Sequence, residues 1–125
     1  MIKVLLVDDD KYLQTVYKTL FSVGNFEITA QAFDGVQAIE KYSELDPKPD
    51  VVLMDQRMPR MDGITATKEL MLMNPEIKVV FLSADAESKN NAFKAGALAF
   101  LSKPVRIEVL FETIENVVKG LKISH

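Results

Sequence analysis

Cysteine is absent from the sequence, so the fold has no disulfide bond and the chemistry has no thiolate. A basic excess is absent as well, because 15 Lys and Arg residues stand against 18 Asp and Glu residues and leave a net charge of −3. This balance argues against a broad basic face for nucleic acid or an anionic membrane. No apolar run approaches the ~20 residues that cross a bilayer. We therefore expect no membrane insertion and no direct binding of nucleic acid.

The length of 125 residues predicts one domain spanning residues 1–125. A chain of this size buries roughly two thirds of the surface that its unfolded form exposes. Met1-Ile2-Lys3 leads directly into a strand-like run rather than into a signal peptide, so we expect a cytoplasmic protein. No internal repeat, linker or low-complexity segment interrupts the sequence.

Two kinds of apolar pattern alternate along the chain. Short apolar or alternating runs predict strands at residues 2–7, 27–33, 51–54, 77–82 and 97–101. Apolar residues at helical spacing predict helices at residues 11–23, 35–45, 63–73, 86–95 and from about 106, the last with a buried stripe that reaches Leu121. Because right-handed crossovers join such elements, an α/β fold with a parallel sheet between two helical layers follows.

Polar residues follow four of the predicted strands. They are Asp8 with Asp9, Asp55, Ser83 and Lys103. In a parallel sheet all strands end at one edge, which is where open α/β sheets bind ligands. Any one of these residues could instead form a turn or a helix cap, but their convergence at one edge favours a site.

Three carboxylates at this edge, those of Asp8, Asp9 and Asp55, would repel one another. A pair ~4 Å apart costs on the order of 4 kcal/mol at an effective dielectric of about 20. A hard divalent ion, Mg²⁺ or Mn²⁺, would relieve this repulsion. The plainer alternative is that residues 8–10 cap the first helix, and Asp10 is assigned that role in either case.

Asp55 can act as a nucleophile toward a phosphoryl group and form an aspartyl phosphate. Such a transfer needs positioning and neutralisation of spread negative charge. Lys103 suits the second role because its ammonium is a compact charge. The Ser83 hydroxyl could donate to a phosphoryl oxygen and so respond to its presence.

The sequence carries a set of motifs in a fixed order. They are Asp8-Asp9, Met54-Asp55-Gln56-Arg57-Met58-Pro59 with Met61-Asp62-Gly63, Leu82-Ser83-Ala84, and Lys103-Pro104. With these motifs the whole chain resembles a response-regulator receiver domain of two-component signalling, most of all a chemotaxis-regulator-like single domain. The resemblance implies a flavodoxin-like, doubly wound sheet of five strands in the order 2-1-3-4-5 with five helices, which is the order known for the family.

The resemblance further implies a signalling switch rather than a turnover enzyme. Asp55 would accept a phosphoryl group from a partner histidine kinase or histidine phosphotransfer protein, in a Mg²⁺-dependent step that Lys103 and Ser83 assist. The protein would catalyse only this step and a slow dephosphorylation. The ion would be held by Asp8, Asp9, Asp55 and the backbone carbonyl of Arg57.

The family's switch involves Ser83 and an aromatic residue on the fifth strand, here Phe100. On phosphorylation Ser83 would shift and Phe100 would swing inward, reshaping the surface of helix 4, strand 5 and helix 5 for an unknown downstream protein. The alternative is that Phe100 is an ordinary residue of the hydrophobic core with no switch role. The resemblance allows a homodimer formed on phosphorylation and a cis peptide at Lys103-Pro104.

Two hypotheses concern residues outside the motifs. Arg57 and Asp85 each lie two positions beyond a site residue, so we expect them to pair across the pocket mouth and limit the access of water to an acyl phosphate. Val105 and Val109 are expected to be exposed near Phe100, as part of a docking surface. In each case ordinary surface residues are the alternative.

Two other functions remain open at this point. A haloacid-dehalogenase-type phosphohydrolase also uses an aspartyl phosphate, but residues 8–12 end in Tyr12 where that family has Thr or Val. An unphosphorylated receiver-like interaction module would usually lack an acid, the acceptor or the lysine. A histidine kinase is excluded because there is no glycine-rich ATP loop and the single histidine is the terminal His125.

Overall fold

The computed structural model describes residues 1–120, in which five strands alternate with five α-helices. The strands are β1 (Ile2–Val7), β2 (Phe26–Ala32), β3 (Val51–Met54), β4 (Val79–Ser83) and β5 (Ala99–Ser102). The helices are α1 (Lys11–Ser22), α2 (Gly35–Glu44), α3 (Gly63–Met73), α4 (Lys89–Ala95) and α5 (Ile107–Val118). A 3₁₀ turn, Ala86–Ser88, precedes α4.

All neighbouring strands of the sheet are parallel, and their order is β2-β1-β3-β4-β5. This confirms the predicted fold class and strand order. β2 lies at an edge, and its pairing with β1 shifts between Val4 and Leu5, where Thr29 is the extra residue. The shift is a β-bulge, which increases the local twist of an edge strand.

Side chains alternate between the two faces of the sheet and form two apolar layers. One layer joins the sheet to α2, α3 and α4 through Tyr42, Leu70 and Ala92. The other joins it to α1 and α5 through Phe21 and Ile114. The central strands β1, β3 and β4 are therefore buried on both faces, which explains their near-continuous apolar sequences.

Helix caps fix where the chain leaves the carboxyl edge. Asp10, Asp34 and Asp62 are the N-caps of α1, α2 and α3, and each side chain accepts a hydrogen bond from the first turn of its helix. Gly96 ends α4 with a φ of 122°, a backbone conformation that glycine adopts without a Cβ clash. Asp10 thus has the cap role that the sequence assigned to it.

The bounds of three predicted elements differ from the structure by two residues or more. β4 begins at Val79 rather than at residue 77, because its first partner on β3 is Val52. Ile77 is buried but lies in a turn, with its amide bonded to the Asn74 carbonyl. β5 begins at Ala99, and the predicted helix over 86–95 is a 3₁₀ turn followed by α4. Leu121, predicted on the α5 stripe, lies outside the described residues.

None of the helices within residues 1–120 combines the length and the apolar character needed to cross a membrane.

Candidate functional site

The carboxyl edge of the sheet brings together the side chains that the sequence places after four strands. Asp8 directly follows β1 and Asp55 directly follows β3, while Ser83 is the last residue of β4. All three are buried, with 3%, 9% and 1% of their surface exposed. Lys103 follows β5, and its backbone amide bonds to the Ser83 carbonyl. The parallel sheet therefore positions these groups by its strand ends, as predicted.

Carboxylate oxygens of Asp8, Asp9 and Asp55 all lie within 4.8 Å of one another. Asp10 is not part of this group, because its Oδ1 accepts from the backbone amides of Tyr12 and Leu13 at 2.9 and 3.1 Å. Residues 8–10 thus serve both roles, because Asp8 and Asp9 belong to the acid group and Asp10 caps α1.

Lys103 is the cation of this group, which we call the acid pocket (Asp8, Asp9, Asp55 and Lys103). Its Nζ lies 2.8 Å from Asp8 Oδ2 and 3.4 Å from Asp55 Oδ2. Burial alone would lower the Lys103 pKa, but the hydrogen bond to Asp8 and the charges of Asp55 and Asp8 raise it above its ordinary value. The Lys103-Pro104 peptide is cis, as the resemblance implied.

One lysine does not neutralise three acids. Burial and the neighbouring Asp8 charge raise the pKa of Asp55, and the charge of Lys103 offsets this only in part. Hydrogen bonds from the Gln56 amide, 2.7 Å from Asp55 Oδ1, and from the Ser83 hydroxyl act in the same direction as Lys103. The pocket therefore has an unmet demand for positive charge.

The donor set of the pocket fits a hard divalent cation. Three carboxylates supply only oxygen ligands, and residues 1–120 contribute no sulfur or imidazole ligand to the pocket. Two of the acids are partly or fully buried, which limits competition by bulk water. The residues present thus match the Mg²⁺ or Mn²⁺ expected from the sequence. A ligand role for the Arg57 carbonyl remains a prediction.

Gln56 and Gly63 fix the loop after β3 against the start of α3. Gln56 Oε1 accepts from the Ile64 amide at 2.8 Å, and its Nε2 donates to Asp62 at 3.1 Å. A Cβ on Gly63 would lie 2.1 Å from the Asp55 carbonyl oxygen, so only glycine fits there. This packing sets the direction in which the Asp55 side chain leaves the strand.

Arg57 and Asp85 pair at the pocket mouth, as predicted, with Arg57 Nε 3.2 Å from Asp85 Oδ2. The Arg57 side chain is 80% exposed, whereas that of Asp85 is 15% exposed. A hollow of about 400 Å³ lies beside them, lined also by Gln56, Met58 and Asp62. The geometry of the pair is thus established, while its effect on phosphate lifetime stays a prediction.

Phe100 is buried, with 4% of its surface exposed, and stacks on Phe81 at a centroid distance of 5.9 Å and an interplanar angle of 16°. Its side chain therefore already occupies the inward position. Ser83 Oγ accepts from the Asp85 amide at 3.1 Å. The switch roles of Phe100 and Ser83 remain predictions.

A scan of family models then decides the family. Residues 4–115 match the model described as the response regulator receiver domain. The chain belongs to this family. It is a receiver domain of two-component signalling, and the confirmed resemblance leaves the haloacid dehalogenase alternative without support.

Several chemotaxis proteins are close in sequence and structure. The CheY protein of Thermotoga maritima is 38% identical over 119 residues, which cover 94% of this receiver and 98% of that protein. The CheY protein of Listeria monocytogenes is 36% identical over 95% of this chain and all of its own length. Both relatives are therefore matched over nearly their full length.

Solved structures agree with this assignment. CheY in the CheX-CheY-BeF3-Mg²⁺ complex from Borrelia burgdorferi superposes with a TM-score of 0.86 at 30% identity, covering 93% of this chain and 88% of that one. The response regulator domain of Thermotoga maritima CheB gives 0.85 at 31% identity, covering 95% and 97%. The fold of this receiver is thus shared over almost all of the described residues.

One predicted docking residue of the receiver was misplaced. Val109 is exposed, at 42%, in agreement with its position off the α5 stripe. Val105 is half-buried and packs against the apolar layer under α1 and α5. The expected exposure of Val105 was therefore wrong, because its side chain packs on the apolar layer while its neighbours Pro104 and Arg106 are exposed.

Two features of the receiver's site were missed by sequence reasoning. One is the loop clamp, formed by Asp34 after β2 and Arg60 after β3, whose Oδ2 and Nε lie 2.9 Å apart. Arg60 has a φ of 66°, which L residues other than Gly rarely adopt, and this was not readable from the sequence. The other is Gln14, a buried amide on α1. A polar residue three positions before the half-buried Tyr17 on the inner stripe was the available signal.

Proposed function

We propose that this receiver domain, taken as one unit over residues 1–125, is a phosphorylation-dependent signalling switch whose phosphoacceptor is Asp55. The proposal rests on one observation above all: the Asp55 carboxylate lies within 4.8 Å of two further acids and 3.4 Å from Lys103. That arrangement combines a nucleophile, oxygen ligands for a divalent cation and a fixed positive charge. It is the equipment that phosphoryl transfer requires.

The phosphodonor is a phosphohistidine on a partner histidine kinase or histidine phosphotransfer protein. A carboxylate oxygen of Asp55 attacks phosphorus and forms the O–P bond while the P–N bond to the donor imidazole breaks. The electron pair returns to the imidazole nitrogen, which takes up a proton. Asp55 is held ready for this attack because Gln56 and Lys103 bind its oxygens and favour the ionised form.

Lys103 and Ser83 act on the transferred group. Lys103 already touches both Asp8 and Asp55, so its ammonium lies where a phosphoryl oxygen on Asp55 would develop charge. Ser83 Oγ accepts from the Asp85 amide and its hydroxyl donates to Asp55, so the hydroxyl hydrogen already faces the carboxylate that would carry the phosphoryl group. Asp8, Asp9, Asp55 and the Arg57 carbonyl would hold Mg²⁺ or Mn²⁺, and the ion would supply positive charge against the phosphoryl oxygens.

Output follows from a population shift at the α4, β5 and α5 surface. A Ser83 hydroxyl drawn toward the phosphoryl group leaves its bond with the Asp85 amide and alters the β4 end. Phe100, stacked on Phe81 in the adjacent strand, would report that change through its packing. The recipient is a downstream protein that contacts this surface, with exposed Val109 as one of its contacts. A homodimer on phosphorylation is an alternative form of output.

Mass spectrometry tests the acceptor assignment. Incubated with acetyl phosphate and MgCl₂, the wild-type protein is expected to gain the mass of one phosphoryl group, and Asp55→Asn to gain none. Asp46→Asn, which changes an exposed aspartate away from the pocket, should be labelled as well as the wild type. EDTA should prevent labelling.

The same experiment separates this function from an unphosphorylated interaction module. A wild-type protein that gains no mass with acetyl phosphate or any phosphohistidine donor would identify the module. Labelling that persists in Asp55→Asn would assign the acceptor elsewhere.

The Arg57–Asp85 pair is proposed to limit the access of water to the acyl phosphate. Arg57→Ala or Asp85→Ala opens the mouth, so the phosphate is expected to hydrolyse about three-fold faster, while an exposed pair of this kind adds at most about 1 kcal/mol to stability. Decay of the phosphorylated mass with time measures this. Lifetimes equal to that of the wild type in both variants would refute the role.

A further inference from the structure

Gln14 has a buried side chain in which both the amide nitrogen and the amide oxygen form hydrogen bonds. With 1% of its surface exposed, its Nε2 lies 2.7 Å from the Ala32 carbonyl oxygen, 3.1 Å from that of Asp8 and 3.2 Å from that of Leu6. An amide nitrogen has two hydrogens, so three acceptors share them. Gln14 Oε1 accepts from Gln31 Nε2 at 2.9 Å.

These contacts occur where β1 and β2 separate. The last paired residues of the two strands are Val7 and Ala32, and the Asp8 amide still bonds to the Ala32 carbonyl at 3.1 Å. Beyond this point the chain leaves the sheet as the acid-bearing loop. The Gln14 side-chain amide therefore donates to the main chain of both strands at the point where their pairing ends and the loop begins.

The two acids of this loop are held differently. Asp8 is fixed by its own side chain, which accepts from the Asp10 amide at 2.8 Å and from Lys103 at 2.8 Å. The Asp9 carboxylate is exposed and has no hydrogen-bond partner within residues 1–120. Its position depends on the backbone from which it projects.

We propose that Gln14 is a positioning residue that sets the divalent-cation affinity of the acid pocket through the Asp8–Asp9 peptide. The Asp8 carbonyl and the Asp9 amide lie in one rigid plane, so a bond that fixes the carbonyl also fixes the direction of the Asp9 Cα. Gln14 thereby holds Asp9 near Asp8 and Asp55 although it touches no ligand oxygen. This inference rests on the proposed function, because it assumes that the pocket binds a cation.

Gln31 supplies a matched control. It belongs to the same hydrogen-bond network. Among the described residues its side chain donates only to Gln14 Oε1 and the Gln14 carbonyl, not to the loop. Gln14→Met removes the donor to Asp8 and keeps the length of the side chain. Gln31→Met disturbs the network and leaves that donor in place. If Gln14 positions the loop, Gln14→Met weakens metal binding and Gln31→Met does not. Without a positioning role, the two variants bind the metal equally well.

Titration with MgCl₂ alone, followed by calorimetry, measures the affinity without any phosphodonor. Gln14→Met is expected to raise the Kd for Mg²⁺ about ten-fold, the usual scale for residues that orient metal ligands, and Gln31→Met to leave it within about two-fold of the wild type. Equal Kd values in the two variants, with stability alone reduced in Gln14→Met, would overturn the positioning role. A wild-type protein that binds no Mg²⁺ would instead remove the metal site of the proposed function, and this inference with it.

A wild-type measurement covers the case in which Gln14→Met does not fold. The side-chain NH₂ resonances of Gln14 should shift during the MgCl₂ titration with the same midpoint as the backbone amide of Asp9. Gln14 resonances that stay fixed while Asp9 shifts would show that the two are not coupled and would overturn the proposal.

Discussion

The acid pocket and the loop clamp lie at the same edge of one sheet, and each has at least one buried aspartate that faces a cation from another loop. In the clamp, Asp34 has a partner for each oxygen: Oδ1 accepts from the Gln37 amide at 2.8 Å and Oδ2 from Arg60 at 2.9 Å. In the pocket, Asp8 and Asp55 share one ammonium. One group of charges is balanced and the other is not.

This difference appears in opposite pKa shifts. Burial acts to raise the pKa of Asp34, but the hydrogen bonds from Gln37 and Arg60 prevail and hold it below the ordinary value of 3.8. For Asp55, burial and the Asp8 charge prevail and raise the pKa. A carboxylate whose bonds are complete stabilises the fold, whereas one whose charge is only partly met is available to a ligand.

The largest expected effect comes from removing the cation of the pocket. Lys103→Met leaves Asp8 and Asp55 buried beside each other without a positive charge, so unfolding in urea with EDTA at neutral pH should show a loss of about 2 kcal/mol. Arg60→Met, which removes a mostly exposed partner of Asp34, should cost less. A larger loss for Arg60→Met would reverse the comparison between pocket and clamp.

The clamp aspartate is expected to have the next largest effect. Asp34→Ala removes an N-cap and the partner of Arg60, so stability at neutral pH should fall by about 1.5 kcal/mol. Because the folded pKa lies below 3.8, the contribution of Asp34 is complete above that value and disappears as the pH falls through the folded pKa. The free energies of unfolding of the wild type and Asp34→Ala should therefore converge on acidification, and urea unfolding from neutral to acid pH measures this.

A control on another cap sharpens this prediction. Asp10→Ala removes the exposed cap of α1, which has no cation partner among residues 1–120, and should cost less than Asp34→Ala. A difference between Asp34→Ala and wild type that widens on acidification would contradict the lowered pKa.

Asp55 should show the opposite pH dependence. A folded pKa above 3.8 means that ionisation of Asp55 costs stability as the pH rises through the range between the unfolded and folded values. Asp55→Asn should therefore be more stable than wild type by about 1 kcal/mol at neutral pH in EDTA, with no gain in strong acid. Thermal unfolding across this pH range measures it, with Asp46→Asn as the exposed control.

An effect of similar size to that of Asp55→Asn concerns a buried polar group in neither region. Thr67 on α3 is fully buried, and its Oγ1 has no hydrogen-bond partner among the described residues. Thr67→Val should gain about 1 kcal/mol in urea unfolding, because it removes an unpaired hydroxyl at nearly constant volume. Thr65→Val, two residues earlier and exposed, should change little. A loss of stability in Thr67→Val would indicate that the hydroxyl has a partner after all.

Most of the fold and the centre of the site could be predicted because both depend on order along the chain. Apolar runs that end in Asp8, Asp55 and Ser83 specify strand ends, and a parallel sheet then brings those ends together. Boundaries were less predictable, since Ile77 is as buried as a strand residue yet β4 begins only where β3 offers a partner, at Val79.

The remaining features depend on contacts between distant loops. Asp34 and Arg60 are 26 positions apart, and the sequence around neither one indicates the other. Gln14 donates a hydrogen bond to the carbonyl of Ala32, 18 positions away. Ala32 ends an edge strand with a β-bulge, and no local sequence pattern indicates that bulge. Such pairings follow from the assembled backbone rather than from propensity or periodicity.

Gly63 limits how this receiver could be redesigned. Since any side chain there would collide with the Asp55 carbonyl, a library meant to retune signalling lifetimes gains nothing from randomising that position and would mostly yield misfolded clones. Arg57, on the rim of the pocket, is 80% exposed, so a change in its size or charge meets little steric conflict. Engineering effort is best directed to that rim, where variation leaves the framework intact.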